Sequence, residues 1–420
     1  MFRIFTSLCL IILCSTFVNA QSNEEVVRKI ADQIIKETVL GFEGVENKQF
    51  YNSSKNIPEN VKVKYASPYT GWHYTHGVLN IAMINLGNHL NDQKYLDYAA
   101  RHVAFGFDNY QTFENRFKHD VKHYTYPYGE FFTMEELDDF GAMSASIIEV
   151  YKQVKKPEYK AYLEKAAKHL TEDRPRLEDG TFVRAFPHKM TLWADDLYMS
   201  VPFLARMGKF TGQKKYIDDA IKQVKNFNKY LWDAEKQLYW HTYYSDLKRN
   251  GVAHWGRCNG WIMLSTIHLL DILPDNHPEK KNLIKLLERQ ILGLSHYQGA
   301  DGLWHQILDK DDSYTESSCS AMFVYGTAHA VNQGWIDKRY ASIAKLGWEG
   351  LKKNKLNELG QLKDICVGTG IQDNLPFYYN RPVGLNEKHG TGPLLDAGVE
   401  ILKLEQTARQ GGYTCILLKS

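Results

Sequence analysis

Apolar positions recur along most of the chain with the 3.6-residue period of helices, and the stretches that carry this period are of two kinds. In the first kind an apolar stripe faces a charged one. At 215–231, Tyr216, Ala220, Val224 and Phe227 fall on one side and Asp218, Lys222 and Lys225 on the other. Stretches 24–40, 94–105, 160–170, 280–292 and 340–352 repeat the pattern, which predicts half-solvated helices. In the second kind, at 75–90, 139–151, 195–208, 257–273, 316–331 and 390–404, residues are apolar or small nearly all round. A helix without a polar face has to be surrounded by protein, so these are predicted to form an inner layer. Gly and Ala are frequent in them, which lets neighbouring helices approach closely despite the propensity cost of glycine.

Several inner stretches are followed by a short turn and a charged residue plus tyrosine, at Lys94-Tyr95, Glu158-Tyr159, Lys215-Tyr216 and Arg339-Tyr340. The steps between them are 64, 57 and 124 residues, the last spanning two repeats. A helical hairpin therefore recurs around the chain, and a closed ring of hairpins buries every inner helix without special end repeats. The predicted fold is an all-α (α/α)6 barrel of six hairpins, forming one domain over 21–420. Strand signals are short and confined to connections, as at 180–184 and 237–244. The long polar and aromatic connections, 109–137, 171–194 and 233–256, all precede inner helices. Function is therefore expected at the mouth formed by the N-terminal ends of the inner helices.

Residues 1–20 have a basic start at Arg3, an apolar run over 8–13 and a small-residue exit at Val18-Asn19-Ala20. They predict a cleavable signal peptide, and with it export to the periplasm or beyond. Leu13 is too bulky before Cys14 to suit a lipid-attachment site, and no stretch is continuously apolar over the length of a membrane span. With 51 basic and 49 acidic residues the chain lacks the basic excess that binds a phosphate backbone, so nucleic acid is not an expected partner. Cys258, Cys319, Cys366 and Cys415 show no CxxC spacing, and the 16 histidines include no HExxH pair. His119 and His123, four apart, read as a chance pairing, so no metal site is expected. Aromatic residues make up 13% of the chain, which suits either a large core or the faces of sugars.

Polar residues gather where inner helices are expected to start: Glu135-Glu136-Leu137-Asp138-Asp139, Ala194-Asp195-Asp196, Trp255-Gly256-Arg257-Cys258-Asn259-Gly260-Trp261 and Glu316-Ser317-Ser318. One aspartate suffices to cap a helix, so the doublets at 138–139 and 195–196 leave carboxyls available for acid–base work across the mouth. Arg257, between Trp255 and Trp261, reads either as an interhelix packing group or as a fork for an acidic sugar. Trp72, His73, His188, Trp193 and His241 fall in the same set of mouth connections.

The segments 195–204, 255–261 and 316–323 resemble the hallmark segments of glycoside hydrolase family 105, the unsaturated rhamnogalacturonyl hydrolases, and the likeness runs in order from about Trp72 to Leu404. The related unsaturated glucuronyl hydrolases of family 88 share fold and chemistry. This resemblance implies an exo-acting glycosidase on lyase-generated oligosaccharides. A carboxylic acid protonates C4 of a terminal 4,5-unsaturated uronic acid, water adds at C5, and the sugar departs as a linear keto-uronate, with no metal or organic cofactor. Carried over by position, it assigns the proton donor to Asp195, with Asp196 as the alternative register, and the second carboxylate to Asp139, with Asp138 as its alternative. It places His241, Trp255, Arg257 and Trp261 against substrate, and Trp72, His188, Asp196, Ser317 and Ser318 are expected to join them from their positions at the same mouth. Pectin-derived galacturonyl-rhamnose and ulvan-derived, sulfated glucuronyl-rhamnose are both compatible, and oligomeric state stays open. A polysaccharide lyase or a sugar-binding protein on the same fold is the rival reading.

Overall fold

The computed structural model describes residues 21–118 and 120–417, with side chains as far as Arg409. The expected signal peptide, His119 and the side chain of Cys415 lie outside the described residues. Outer and inner helices alternate in chain order. α1 (Asn23–Glu37) leads to α2 (Tyr74–Leu90), α3 (Gln93–Arg116) and the short α4 (Gly129–Thr133) to α5 (Leu137–Gln153), and α6 (Pro157–Lys168) to α7 (Asp196–Thr211). α8 (Lys214–Leu231) leads to α9 (Gly256–Leu270), α10 (Lys280–Ser295) to α11 (Ser317–Asn332), and α12 (Ala341–Gly350) with the short α13 (Leu375–Tyr379) to α14 (Lys388–Leu417).

The inner helices pack in the cyclic order α2, α5, α7, α9, α11, α14 and back to α2, which closes the (α/α)6 barrel. Burial follows the two sequence patterns. Every residue of α9 is buried, whereas α8 buries one stripe that includes Tyr216, Ala220, Val224 and Phe227. Close approach of the inner helices depends on glycine: a Cβ on Gly141 of α5 would lie 1.6 Å from the Met199 carbonyl oxygen of α7. One on Gly77 of α2 would lie 2.4 Å from the Ala142 carbonyl oxygen of α5. Short turns follow the inner helices at one end; the C-cap Asn91 and Gly212 adopt left-handed backbone there, with φ of 51° and 72°.

The two helix kinds lie where the periodicity places them, with two large differences, the first being that α14 runs to Leu417, well past 404. The second is that α3 runs to Arg116, well past 105, because Gly106, Asn109 and Phe113 prolong its buried stripe. The connection ahead of α5 is accordingly 117–136.

The other end carries short antiparallel strands. Ahead of α2, β1 (Phe42–Gly44) pairs with β2 (Phe50–Tyr51) and β3 (Val63–Tyr65). Further along come β4 (Thr191–Trp193), β5 (Trp232–Asp233), β6 (Leu238–Tyr239), β7 (Thr242–Tyr244) and β8 (Arg249–Asn250). β7 pairs with both β4 and β8, and β5 with β6. The stretch 180–184 forms isolated bridges at Phe182 and Arg184, and 237–244 splits into β6 and β7, which pair with different partners. Ahead of α14, β9 (Ile365–Cys366) pairs with β10 (Val383–Gly384). Cys258, Cys319 and Cys366 are free and buried. Among the described residues no helix is long and apolar enough to cross a membrane.

Candidate active site

At the decorated end the N-terminal ends of the inner helices surround a cavity of about 980 Å³. Asp138 and Asp139 of α5, Asp195 at the cap of α7, His73 and Tyr74 at the start of α2, and the 369–372 segment ahead of α14 all line it. Helix N-termini point their free N–H groups and positive dipole ends into this space, which favours anions there.

Strand pairing sets the position of Asp195. β4 and β7 put Trp193 opposite Thr242, and the Ala194 N–H then donates to the His241 carbonyl at 2.9 Å. The imidazole of His241 is thereby brought to Asp195, its Nε2 lying 3.0 Å from Oδ2, while its Nδ1 lies 2.9 Å from the Tyr378 hydroxyl. Burial by itself favours the neutral acid at Asp195, but His241, with Arg184 and Arg257 beyond it, outweighs burial and holds the carboxyl below the usual aspartate value.

Asp139 is held differently. Its Oδ2 accepts the Glu136 N–H at 3.0 Å, half of a capping box at the start of α5, and lies 3.2 Å from His123 Nε2. The other ring nitrogen of His123 is 3.1 Å from Glu135. His123 thus ties the connection ahead of α4 to the carboxylates of α5. Burial lowers its proton affinity, but Asp139 and Glu135 reverse this and raise it above the ordinary histidine value.

Arg184 also lines the cavity, 2.7 Å from Asp138 and bonded through Nε and Nη2 to both carboxylate oxygens of Asp196 at 2.6–3.1 Å. Its guanidinium stacks on Trp193 at 4.1 Å. One guanidinium does not offset two buried carboxylates. Burial pushes Asp138 and Asp196 each up to about 6, against the pull of Arg184. Glu130 of α4, also on the cavity wall, is pushed well above its ordinary value, first by burial and then by Asp139.

Asp139 and Asp195 therefore share one cavity. Several other candidates do not line it. Asp196 is fully buried behind Asp195 and engaged by Arg184. Arg257 donates to the carbonyls of Cys366 at 2.6 Å and Val367 at 2.7 Å and to Ser318 Oγ at 3.3 Å, so it fixes the backbone just ahead of the 369–372 wall. Ser318 donates to Glu316, and Ser317 to the Lys363 carbonyl. Trp255 donates to Gln306 and packs beneath His241, and Trp261 lies against Tyr198. Trp72 is wedged among Phe131, Phe107 and Tyr162 and borders a side compartment of about 580 Å³. His188 is exposed at the rim, edge-on to Tyr244. Of the remaining sequence candidates, His241 touches the site through Asp195, and Trp193 lines it.

Glu130 and Tyr378 carry no sequence signal because they sit in five-residue helices too short to show a period, and Arg184 ends a short strand signal that says nothing of its partners. His123 was accessible only as half of a histidine pair, and its carboxylate partners are what mark it. Among the described residues no group of three or more His, Cys, Asp or Glu is arranged to hold a metal ion.

The chain matches the sequence model of Glycosyl Hydrolase Family 88 over residues 47–405. It belongs to this family. The family 88 chain is a glycosidase, and its resemblance to the unsaturated rhamnogalacturonyl hydrolases extends beyond the three segments. It is 28% identical over 263 residues to the unsaturated rhamnogalacturonyl hydrolase YesR of Bacillus subtilis, covering 59% of this chain and 73% of that one. It is 30% identical over 233 residues to an unsaturated 3S-rhamnoglycuronyl hydrolase of Formosa agariphila, covering 51% of this chain and 58% of the relative. A crystal structure of a possible member of the GH105 family from Salmonella enterica shares the fold, with a TM-score of 0.74 at 23% identity, over 92% of this chain and 95% of its own.

Proposed function

We propose that this family 88 glycosidase removes a terminal 4,5-unsaturated uronic acid from the non-reducing end of oligosaccharides in which rhamnose follows the uronate. The observation that carries the reading is the meeting of Asp139 and Asp195, from separate hairpins, on one cavity. Asp195 delivers a proton to C4, and Asp139, held by the Glu136 N–H and His123, orients the water that adds at C5. The C4–C5 double bond and one water become a hemiketal at C5. The hemiketal opens, and the leaving sugar departs as the alcohol.

His241 and the two arginines hold the Asp195 carboxyl below the ordinary aspartate value, and the like charge of an entering uronate carboxylate raises its affinity for a proton. The side compartment shares His73, Tyr124 and Glu130 with the main cavity and adjoins it, which places it next to where leaving-side sugars would sit. The names of the two relatives, a rhamnogalacturonyl and a 3S-rhamnoglycuronyl hydrolase, support rhamnose beside the uronate. Export through residues 1–20 is part of the same proposal.

The test is the ultraviolet absorbance of the conjugated double bond during incubation with lyase-generated uronyl-rhamnose disaccharides. The expected result is bleaching, reduced about 10²–10⁴-fold in Asp195→Asn, the range for loss of a general acid. Rising absorbance with intact polymer, as a lyase gives, or an undiminished rate in Asp195→Asn overturns the reading.

A further inference from the structure

Tyr378 stands at the far end of a hydrogen-bond chain that begins at Asp195 and passes through both nitrogens of His241. Its hydroxyl oxygen also receives the Gln372 N–H at 3.4 Å, and Gln372 lines the catalytic cavity. The ring is 1% exposed, and its main-chain carbonyl accepts a bond from Gln306 at 3.3 Å. The tyrosine is thus fixed at both ends, with its oxygen held against His241 Nδ1.

We propose that Tyr378 is a positioning residue for proton delivery by Asp195, its hydroxyl acting as the two-way partner that lets His241 and Asp195 exchange a proton. This rests on the unsaturated uronyl hydrolase reading. When Asp195 is ionised, His241 has to present Nε2–H to its oxygen, and Nδ1 is bare or also protonated. When Asp195 carries the proton, Nε2 has to be bare, and the ring proton sits on Nδ1. A buried Nδ1–H without an acceptor is costly. A hydroxyl satisfies every state, donating to a bare Nδ1 and accepting from Nδ1–H. The phenol keeps its own proton throughout, since burial raises Tyr378 well above the ordinary tyrosine value. A phenylalanine there leaves Nδ1 without a partner in every state, but an orphaned N–H, above all on a charged ring, costs more than an orphaned acceptor, so the two states in which the pair holds its extra proton are disfavoured.

Other groups also bear on this pair. Asp196 and Asp138 adjoin it on α7 and α5, and Arg184 reaches it from the connection ahead of β4. Arg257 and Cys258 face it from α9, Tyr74 from α2, and Tyr244 faces Tyr378 from β7. Tyr378→Phe removes one oxygen and leaves all of them in place.

The experiment is the pH profile of kcat and KM for Tyr378→Phe and the wild type, read by bleaching of an unsaturated uronyl-rhamnose disaccharide. The alkaline limb of kcat/KM is expected to move about one pH unit toward acid, with kcat near neutrality down about tenfold and KM changed less than about twofold, the scale of one orphaned buried donor. An equal fall at every pH, or a wild-type profile, overturns the proposal. Proton-detected spectra of ¹⁵N-histidine-labelled protein give a readout independent of turnover. Acidification of the wild type is expected to put a hydrogen-bonded proton on His241 Nδ1, at lower pH in Tyr378→Phe. A wild-type Nδ1 with no hydrogen-bonded proton across the titration overturns the assignment even if the variant does not fold. Failure of the wild type to bleach any unsaturated disaccharide refutes the hydrolase reading, and the histidine spectra still decide the role of Tyr378.

Discussion

Arg184 is the residue on which the two halves of the site depend. It connects Asp138 and Asp196, and those are the sequence neighbours of the carboxyls assigned to catalysis. Truncating one member of a buried ionic group leaves its partners charged and unpaired, at a cost of about 3–5 kcal/mol. Arg184→Met is therefore expected to lose about that much stability in denaturant unfolding. Arg184→Lys, which keeps the charge but not the planar fork, should lose less stability while still lowering kcat. Equal stability of all three proteins would show that the bridge holds nothing. The aspartate doublets were legible in the sequence because a second carboxyl at a helix start exceeds what capping needs. That both Asp138 and Asp139 reach the cavity, but only Asp195 of the second doublet, was not, since this depends on the rotation of α5 and α7 and on Arg184, which comes from a connection between helices.

At the scale of elements, the connection at 117–136 supplies a wall of the cavity and is tied to α5 through His123. The sign of its pH dependence follows from the direction of the shift. A histidine whose proton affinity is raised on folding contributes stabilisation that is complete below its unfolded pKa, about 6.5, and is lost as pH rises through the folded value. Amide-exchange protection within 120–128 is expected to be higher at pH 6 than at pH 8.5, with the difference abolished in His123→Gln. Equal protection at both pH values in the wild type would mean that His123 does not tether the segment. Helix identity was readable from periodicity because a 3.6-residue stripe records burial directly. The ends of α3 and the two- and three-residue strands were not, because the first depends on how far a neighbour covers the helix and the second on partners distant in sequence.

For the whole molecule, the ring needs something at its plain end to hold six nearly featureless apolar helices in register, and buried polar groups supply it. Glu149 of α5 bonds Arg206 of α7, which bonds His268 of α9. His329 of α11 lies 2.8 Å from Asp271, just past α9, and 3.1 Å from Glu400 of α14, and Asn85 of α2 bonds Asp396 of α14 at 2.8 Å. Despite burial, Asp271 and Glu400 raise His329 to about 10, and His329 with Lys403 takes Glu400 down to about 2. The histidine contribution is complete below about pH 6.5 and fades as pH climbs through 10; the glutamate contribution is complete above about 4.5 and fades as pH falls through 2. Unfolding free energy should therefore fall on the alkaline side between about pH 7 and 10. In His329→Leu that slope should flatten, with about 3–5 kcal/mol lost at neutral pH because two carboxylates are left facing an apolar side chain. The cavity shared by Asp139 and Asp195 lies at the opposite end of the same helices, so on the proposed function kcat/KM per folded molecule should stay within about twofold of the wild type. A large fall in kcat/KM with undiminished stability would mean that the two ends are coupled through the barrel. The division between a plain end that sets register and a decorated end that does chemistry would then fail.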